Sequence, residues 1–170
     1  GGLINFAEDA KHIGSIGKDD GHCEIKLDNG EICMRGGDVM LGYYKDPKGT
    51  AEVIDAEGWF HTGDLARVDE DGYYFLTGRK KNVIILDSGE NVSPEELEGL
   101  LEKCPAVKEC LVKEKGKKIC AVVCCEEADQ QAVRDFITET NRTLPLYKRM
   151  SAVEFSAQPL PRNAMGKLMR

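Results

Sequence analysis

The sequence contains no hydrophobic run of membrane-spanning length. No apolar stretch approaches the roughly 18 residues that a bilayer requires. The N-terminal residues also lack the basic, apolar and small-residue pattern of a secretory signal. We therefore expect no transmembrane segment and a cytoplasmic location. With 41% hydrophobic and 31% charged residues, the 170-residue chain has enough apolar material for one ordinary domain or two small ones.

Paired metal ligands are also missing at the spacing typical of zinc proteins. No CxxC pair occurs among the seven cysteines, and the three histidines are scattered along the chain. This spacing disfavours a structural zinc site. An odd number of cysteines without a secretion signal favours reduced thiols, and three of them lie in an apolar, strand-like run at 120–125. We predict buried, reduced cysteines and no metal site.

Positive charge is scarce in the first half of the chain. Residues 1–78 carry 7 Lys+Arg against 16 Asp+Glu, a net charge of −9, whereas residues 79–170 carry 16 against 14, a net charge of +2. This break predicts two modules. The second half either handles a polyanion such as ATP or coenzyme A, or the two halves simply have differently solvated surfaces.

The first half is predicted to be β-rich and largely antiparallel. Residues 23–27 and 31–35 alternate in character and flank Asp28-Asn29-Gly30, a strong hairpin signal. Residues 65–78 repeat the design, with Asp71-Gly72 as the turn. A loop punctuated by glycine and proline, GYYKDPKGTAEV, is predicted between the two hairpins.

The second half mixes helices and strands. Residues 93–96 (SPEE) predict a helix start, with the serine as cap and the second glutamate completing a capping box, and leucines at helical spacing follow. Two strands are predicted within 107–126, a second helix follows an Asp129 cap, and 151–155 is a last strand. With a weakly paired strand at 82–86, the order ββαββαβ predicts a small α+β domain.

Two segments in the middle of the chain carry residues suited to ligand binding. Asp64 follows a glycine, and there its carboxylate can meet vicinal hydroxyls such as those of a ribose; the alternative is a turn with a solvated aspartate. Arg79, followed by two lysines, can hold a phosphate or a sugar edge, or it begins a basic linker. In Ser88-Gly89-Glu90 the glycine allows a ligand to approach the backbone closely, or it makes a tight turn.

The third segment lies near the C-terminus. Two prolines and a glycine in PLPRNAMGK stiffen a loop that holds Lys167 at its tip. An ammonium in such a position can neutralise charge that develops on a phosphoryl oxygen or a carboxylate. The alternative is an exposed lysine that only aids solubility.

Taken together and in this order, the three segments resemble the later motifs of the AMP-forming acyl-CoA synthetase, adenylation-domain and luciferase superfamily. The resemblance is carried by WFHTGDLARVDEDGYYFLTGRKKNVIILDSGENVSPEELE and PLPRNAMGKL, and RGGDVMLGYYKDP also fits. It covers nearly the whole chain. Within the superfamily, GRKKNVIILDSGENVSPEELE is most similar to long-chain fatty acid–CoA ligases.

The resemblance implies a role for each matching residue. Asp64 and Arg79 correspond to residues that bind the nucleotide ribose, Lys81 to the hinge, and Lys167 to the catalytic lysine of adenylation. The loop facing the coenzyme A side comprises Ser88, Gly89 and Glu90. The implied reaction joins a carboxylate, a fatty acid by resemblance, to ATP. Pyrophosphate leaves, and coenzyme A then displaces AMP from the acyl-adenylate.

The resemblance also implies a division of labour. Residues 1–78 are expected to be the antiparallel, barrel-like tail of a large N-terminal adenylating domain, and residues 79–170 a small α+β lid with its hinge near 79–81. The phosphate loop and the motif for adenine and Mg²⁺ lie upstream in relatives and are absent here. We therefore expect the Mg²⁺ ligands outside this chain, and we expect the chain alone to catalyse neither half-reaction. No nucleic acid partner is expected.

Two alternatives stay open at this point. An adenylating enzyme of another branch would pass its acyl group to a carrier protein instead of coenzyme A. A non-catalytic module would bind a nucleotide or a protein partner without turnover. For a chain divided into the tail of a large domain and a lid, sheet edges that the larger domain would cover are expected to be exposed and to favour self-association.

Overall fold

A computed structural model describes residues 3–5 and 10–169. The chain divides into two compact units, Gly1–Lys81 and Asn82–Arg170. Among the described residues, no helix combines the length and the apolar character needed to cross a bilayer. The assignment of the two units to an adenylating domain and a lid stays a prediction.

The first unit is built on one antiparallel sheet of six strands. The strands are β1 Leu3–Ile4, β2 Gly17–Asp19, β3 Glu24–Asp28, β4 Glu31–Arg35, β5 Phe60–Val68 and β6 Tyr73–Arg79. Their order across the sheet is β1-β2-β6-β5-β4-β3. The predicted antiparallel character is confirmed. Because β1 and β3 form the two edges, the sheet is open and does not close into a barrel.

The β3–β4 hairpin follows directly from its turn residues. Asn29 and Gly30 both adopt positive φ angles, 49° and 84°. Two consecutive residues in this conformation match the twist of a two-residue hairpin, and asparagine followed by glycine is the pair that tolerates it best. The predicted hairpin is confirmed, and its register places Asp28 opposite Glu31.

The segment between the two hairpins contains a helix that the sequence analysis took for a loop. Helix α1 spans Pro47–Val53. The Asp46 carboxylate accepts a hydrogen bond from the amide of Gly49 at 2.8 Å, and Pro47 occupies the first turn, where its missing N–H costs nothing. The loop prediction was wrong here because the two glycines and the proline were weighed as breakers, whereas Asp-Pro is also a helix start.

The second unit has the predicted α+β character. Its elements are β7 Ile84–Ile85, β8 Asn91–Val92, α2 Pro94–Leu101, β9 Glu109–Lys115, β10 Lys118–Cys124, α3 Gln130–Thr143 and β11 Ala152–Ser156. Strands β7 and β8 form a small antiparallel ladder. The main sheet has the order β11-β10-β9, with β9 antiparallel to β10 and β11 parallel to it.

The core of the second unit lies on one face of the main sheet. Its fully buried side chains come from both helices, from β8 and from alternate positions of β9 and β10: Val92, Leu97, Leu101, Val112, Val123 and Val133. A smaller cluster of Leu111, Cys124 and Leu160 lies on the other face, because adjacent residues of a strand point to opposite sides. All seven cysteines are buried and free, which confirms the predicted thiols.

The predicted capping box of α2 is wrong. Ser93 stands at the N-cap, but its side chain makes no capping hydrogen bond with the backbone of the first turn. Its hydroxyl instead donates to the Glu95 carboxylate at 3.1 Å. Asp129 likewise precedes α3 without a side-chain cap, since a short 3₁₀ turn over Glu127–Asp129 leads into that helix.

Candidate functional site

The β5–β6 hairpin brings the two predicted nucleotide-binding residues together. Asp64 and Arg79 are register partners across the two strands, and Arg79 Nε lies 2.7 Å from Asp64 Oδ1. The aspartate is half-buried and the arginine is exposed. The pair therefore holds a carboxylate in a fixed position at the surface, with capacity to accept further hydrogen bonds.

The backbone just before Asp64 is fixed to the neighbouring strand β4. The Thr62 hydroxyl donates to the carbonyl oxygen of Ile32 at 2.8 Å. Gly63 has a φ of +72°, a left-handed conformation that favours glycine. Its amide donates to Glu31 Oε1 at 2.9 Å. These residues form a bulge within β5, at 62–64, which directs Asp64 toward Arg79 on β6.

Glu31 is the buried centre of this network. It is only 3% exposed, and its Oε2 atom accepts a hydrogen bond from Lys80 Nζ at 2.7 Å. Burial alone would raise the pKa of Glu31. The hydrogen bonds from Lys80, from the Gly63 amide and from the His61 ring outweigh it, so this pKa is lowered. Glu31 therefore stays ionised, and it connects Gly63, just before Asp64, to Lys80, just after Arg79.

His61 lies between two carboxylates. Its Nδ1 atom is 3.3 Å from Glu31 Oε2, and its Nε2 atom is 3.3 Å from Asp55 Oδ2. Asp55 is itself oriented by the amide of Trp59, which donates to Oδ1 at 2.9 Å. The hydrogen bond from the Trp59 amide, followed by the contact with His61, lowers the pKa of Asp55 despite partial desolvation.

These side chains line a cleft of about 600 Å³ that lies entirely within the first unit. It is lined by Glu31, Ala51, Glu52, Val53, Asp55, His61, Thr62, Gly63, Arg79, Lys80 and Lys81. A volume of this size falls within the range of small-molecule sites, about 300–1,000 Å³. Three cationic side chains, Arg79, Lys80 and Lys81, line the cleft together with three carboxylates, Glu31, Glu52 and Asp55. The cations suit the anionic part of a ligand, and the Asp64–Arg79 pair suits a hydroxylated group.

Lys81 occupies the predicted hinge position at the end of the first unit. It lies in a 3₁₀ turn over Lys80–Asn82 that follows β6 directly. Its side chain is exposed. The turn separates Arg79, which belongs to the β5–β6 ladder, from the first strand of the second unit.

The Ser88-Gly89-Glu90 loop is the tight turn between β7 and β8. The amide of Gly89 donates to the carbonyl oxygen of Leu86 at 2.8 Å, and the amide of Leu86 donates to the carbonyl oxygen of Glu90 at 3.0 Å. Gly89 has a φ of +92°, and no atom lies within 4 Å of the position that a Cβ would take. The turn therefore demands glycine for its backbone, and the space above it is open.

Lys167 lies in a second tight hairpin near the C-terminus. The amide of Asn163 donates to the carbonyl oxygen of Lys167 at 2.8 Å. Asn163 Oδ1 accepts hydrogen bonds from the amides of Met165 and Lys167, each at 3.0 Å. The Lys167 side chain is exposed. Within residues 3–5 and 10–169, nothing forms a hydrogen bond or an ion pair with its ammonium.

Two contacts anchor this hairpin to β9. Arg162 Nη2 donates to Glu109 Oε1 at 2.7 Å, and the amide of Leu160 donates to Glu109 Oε2 at 2.8 Å. The Arg162 guanidinium, followed by the Leu160 amide, lowers the pKa of Glu109. The Leu160 side chain, which is 5% exposed, packs with Leu111 and Cys124.

The second unit does not bring the Gly89 loop and the Lys167 hairpin together. Ile84 and Val92, in the strands that flank the loop, belong to the cluster on the helix-covered face of the sheet. Leu160 and Leu168, which flank Lys167, pack on the opposite face. The two predicted site segments are therefore attached to different sides of this unit.

Sequence reasoning missed Glu31 and Asp55 as members of the site, gave His61 no role, and named Lys80 only as one of the two lysines that follow Arg79. The residue types of Glu31 and Asp55 are common on strands and loops. The one local signal was Glu31, a charged residue directly after a hairpin turn and ahead of an apolar strand. Only its pairing with β5 shows that it points inward.

Comparison with curated proteins finds many related sequences. A probable acyl-activating enzyme 4 of Arabidopsis thaliana is 42% identical over 147 residues, which cover 83% of this chain and 27% of that protein. A probable 4-coumarate–CoA ligase 2 of Dictyostelium discoideum is 38% identical over 148 residues, covering 84% of this chain and 27% of that protein. The chain thus spans about a quarter of the length of these relatives.

Solved structures and family models agree with these relatives. The o-succinylbenzoate CoA synthetase of Bacillus subtilis, in complex with its acyl-adenylate intermediate, is 31% identical and has a TM-score of 0.77; the match covers 93% of this chain and 35% of that chain. Residues 81–170 match the model of the AMP-binding enzyme C-terminal domain. The resemblance to the superfamily that was inferred from the sequence motifs is confirmed, whereas the similarity to long-chain fatty acid–CoA ligases stays a prediction. The chain belongs to the AMP-binding enzyme family.

Proposed function

We propose that this chain supplies the ribose contact and the catalytic lid of an ATP-dependent acyl-CoA ligase. The reaction converts a carboxylate, ATP and coenzyme A to an acyl-CoA, AMP and pyrophosphate through an acyl-adenylate. Because the chain spans about a quarter of its curated relatives, we propose this activity for an extended protein. That term denotes this chain together with a region equivalent to the rest of the relatives' length.

The observation that carries this proposal is the Asp64–Arg79 pair beside a cleft that also holds Lys80 and Lys81. An ionised carboxylate is an acceptor for the two hydroxyls of a ribose, and a guanidinium beside it donates to oxygen atoms of the sugar or phosphate. The β5–β6 ladder and the Gly63–Glu31 bond keep both groups in place before any ligand binds. Such preorganisation reduces the ordering cost of binding.

Lys167 is proposed to act in the first half-reaction. As the carboxylate attacks the α-phosphate, negative charge accumulates on the reacting oxygens, and an ammonium placed there stabilises it. The Lys167 side chain is exposed on a stiff hairpin, and no described residue pairs with its ammonium. Both features suit this role. An ion pair with another residue of the chain would have to be broken before Lys167 could serve the reaction.

The proposed hinge at Lys81 links the two half-reactions. The Gly89 loop and the Lys167 hairpin belong to opposite faces of the second unit. Rotation of that unit about the 3₁₀ turn at residues 80–82 would present one face during adenylation and the other during thioester formation. In the second orientation we propose that the open backbone at Gly89 lies beside coenzyme A.

The Mg²⁺ that accompanies ATP is proposed to be held outside this chain. Glu31 and Asp55 are carboxylates of the cleft, but their oxygens already accept hydrogen bonds from Lys80, Gly63 and Trp59. Mg²⁺ prefers carboxylates that it can share with water and phosphate. These two carboxylates therefore do not fit as its principal ligands.

The carboxylate substrate is proposed to be a fatty acid. The segment at residues 78–98 suggested a long-chain fatty acid, and we retain a fatty acid as the first candidate. Relatives that match the chain include a probable 4-coumarate–CoA ligase. A substrate panel should therefore hold fatty acids of increasing length together with 4-coumarate.

Carboxylate-dependent exchange between ATP and pyrophosphate tests the proposal directly. We expect exchange by the extended protein and none by the 170-residue chain alone. The acceptor is then identified by offering coenzyme A and a phosphopantetheinyl carrier protein in parallel. Transfer to the carrier alone would favour the adenylating enzyme of another branch. If the extended protein binds nucleotide and exchanges with no carboxylate on the panel, the ligase proposal fails.

A further inference from the structure

A thiol, an imidazole and a carboxylate meet near the edge of the first unit's sheet. Cys33 Sγ lies 3.4 Å from His61 Nδ1. A carboxylate oxygen of Asp28 completes the cluster, and the three atoms all lie within 4.8 Å of one another. The three residues come from strands β4, β5 and β3.

Strand register explains why residues so distant in sequence converge. Cys33 is paired with Lys26 on one side and with His61 on the other. Asp28 lies two residues beyond Lys26 on β3, and alternate residues of a strand share a face. All three ligand groups therefore point to the same side of the β3–β4–β5 ladder. The absence of CxxC spacing argued against a zinc site in the sequence, but it does not test ligands drawn from three strands.

The orientation of His61 is set by a carboxylate on its far side. His61 Nε2 lies 3.3 Å from Asp55 Oδ2, and Asp55 Oδ1 accepts hydrogen bonds from the amides of Glu57 and Trp59, each at 2.9 Å. Histidines that bind metals usually donate their second N–H to such a carboxylate, which fixes the tautomer and raises the basicity of the ligating nitrogen. In the tautomer with the proton on Nε2, donated to Asp55, the Nδ1 lone pair becomes available to a metal beside Cys33, and the hydrogen bond from Nδ1 to Glu31 is given up.

The mixture of donors selects a class of metal. Calcium and magnesium prefer oxygen ligands alone, whereas one thiolate, one imidazole and one carboxylate suit zinc and similar thiophilic cations. In a tetrahedral zinc site, typical bond lengths place the sulfur and nitrogen ligands about 3.5 Å apart. The observed 3.4 Å between Sγ and Nδ1 fits this spacing without rearrangement.

We propose that Asp28, Cys33 and His61 bind one thiophilic divalent cation, Zn²⁺ being the natural candidate, with water as the fourth ligand. On binding, the thiol loses its proton to solvent and the thiolate sulfur forms a bond to the metal. Cys33 is fully buried. The metal reaches it past Asp28, which is exposed, and His61, whose side chain is 27% exposed.

Metal binding at this site would alter the contacts of the β5 bulge that precedes Asp64. His61 Nδ1 also lies 3.3 Å from Glu31 Oε2, and Glu31 holds the amide of Gly63. A metal on Nδ1 replaces the contact between His61 and Glu31. The site therefore connects metal binding to the network that fixes Gly63 and Asp64.

Titration of the 170-residue chain with Co²⁺ and then Zn²⁺ tests the site. We expect one equivalent of Co²⁺ to bind with a thiolate-to-cobalt charge-transfer band, and one equivalent of Zn²⁺ to displace it. Cys33→Ser should remove the band, and His61→Gln should weaken Zn²⁺ binding by 100-fold or more. Asp55→Asn changes the partner of His61 Nε2, the ring nitrogen away from Cys33, and should weaken Zn²⁺ binding about 10–100-fold.

Two matched variants separate this site from adventitious binding. Cys23→Ser changes another buried thiol of the same unit, and His22→Gln changes an exposed histidine next to it. Both should leave the band and the Zn²⁺ affinity unchanged. Absence of a thiolate band in the folded wild-type chain, or its survival in Cys33→Ser, would overturn the proposal, as would a band that Cys23→Ser removes.

Because Cys33 is fully buried, its variant can fail to fold, and circular dichroism identifies that case. Asp28→Asn then decides the matter, since Asp28 is exposed and its replacement leaves the core intact. A tenfold or greater loss of Zn²⁺ affinity supports the site. Unchanged affinity in both Asp28→Asn and His61→Gln refutes it.

Discussion

The two charged groups that we propose to meet the nucleotide are held in opposite ways. Asp64 is paired with Arg79 at 2.7 Å, and the amide of Gly63, just before it, is hydrogen-bonded to buried Glu31. Lys167 lies on a hairpin whose backbone is equally well fixed, but in the described part of the chain its ammonium contacts no acceptor. One group is prearranged by an internal partner, and the other is prearranged by its backbone alone.

This difference indicates when each group is needed. A residue that binds the nucleotide throughout both half-reactions benefits from a fixed position, even though it must share its charge with a partner. A residue that serves only the first half-reaction must arrive and leave, and an ion pair would oppose each transfer. The hairpin keeps the position of Lys167 precise and its charge available. Four predictions test this comparison.

The largest effect is expected from Lys167→Ala. Loss of one charge-assisted contact at the transition state should reduce ATP–pyrophosphate exchange by the extended protein about 100- to 1,000-fold. Conversion of ready-made acyl-adenylate to the thioester should stay close to wild type, because that step uses the other face of the unit. Lys103→Ala, another exposed lysine of the same unit, is the matched control. Equal losses in both half-reactions would contradict the proposed role.

Asp64→Ala should have the next largest effect. It should weaken nucleotide binding, whereas Lys167→Ala slows one half-reaction. Hydrogen bonds that involve a charged group contribute about 1.5–3 kcal/mol, so AMP affinity should fall about 10- to 100-fold. Both half-reactions should suffer together, in contrast to Lys167→Ala. Calorimetric titration of the extended protein with AMP measures the change. Asp71→Ala, in the turn of the same hairpin, should leave AMP affinity unchanged.

Glu31→Gln tests whether the fixed position of Asp64 depends on a buried charge. The amide of glutamine can still accept from Gly63, but it loses the charge-assisted bond to Lys80. Since Glu31 is 3% exposed, we expect the free energy of unfolding of the first unit to fall by about 1–3 kcal/mol. Urea denaturation followed by Trp59 fluorescence measures it, because Trp59 belongs to the same unit.

Glu24→Gln provides the contrast for this variant. Glu24 also pairs with a cation, Arg35, but on the surface, where ion pairs contribute little. Its replacement should change stability much less than Glu31→Gln does. If the two variants have equal effects, the buried network is no more important than an exposed pair, and the comparison with Lys167 loses its basis.

Much of the fold could be predicted because its signals are local. Asn29-Gly30 specifies a hairpin by its own conformational preferences, and residues 115–117 do the same for the β9–β10 turn, where Gly116 and Lys117 both have positive φ angles. The predicted positions of Asp64 and Arg79 came from family motifs. The sequence could not show that the two would be register partners.

The network around Glu31 could not be predicted for a physical reason. Glu31 lies 30 or more residues from His61, Gly63 and Lys80, and it meets them only through the pairing of β4 with β5 and of β5 with β6. A glutamate after a turn is usually solvated, and no local pattern distinguishes the rare one that is buried. Helix α1 was missed for a different reason: its Asp-Pro start was visible, but two glycines nearby outweighed it in the prediction.

The smallest expected effect concerns pH and the docking of the Lys167 hairpin. The Arg162 guanidinium, then the Leu160 amide, lowers the pKa of Glu109 in the folded protein. A group whose pKa is lowered on folding stabilises the folded state above its unfolded pKa, about 4.3, and this contribution is lost as the pH falls through the folded pKa. The hairpin should therefore be held firmly near neutral pH and loosen only in acid.

Comparison of wild type with Glu109→Gln isolates this contribution, since every other carboxylate titrates in both proteins. The difference in melting temperature should be constant from about pH 7 down to about pH 5 and shrink below the unfolded pKa of a glutamate. Lys117→Gln, which breaks an exposed pair with Asp87 in the same unit, should show a smaller difference at every pH. A difference for Glu109→Gln that does not change with pH would mean that shape alone, without the ion pair, holds the hairpin on β9. In that case Lys167 would owe its position to Leu160 and the hairpin backbone, and acid would leave it in place.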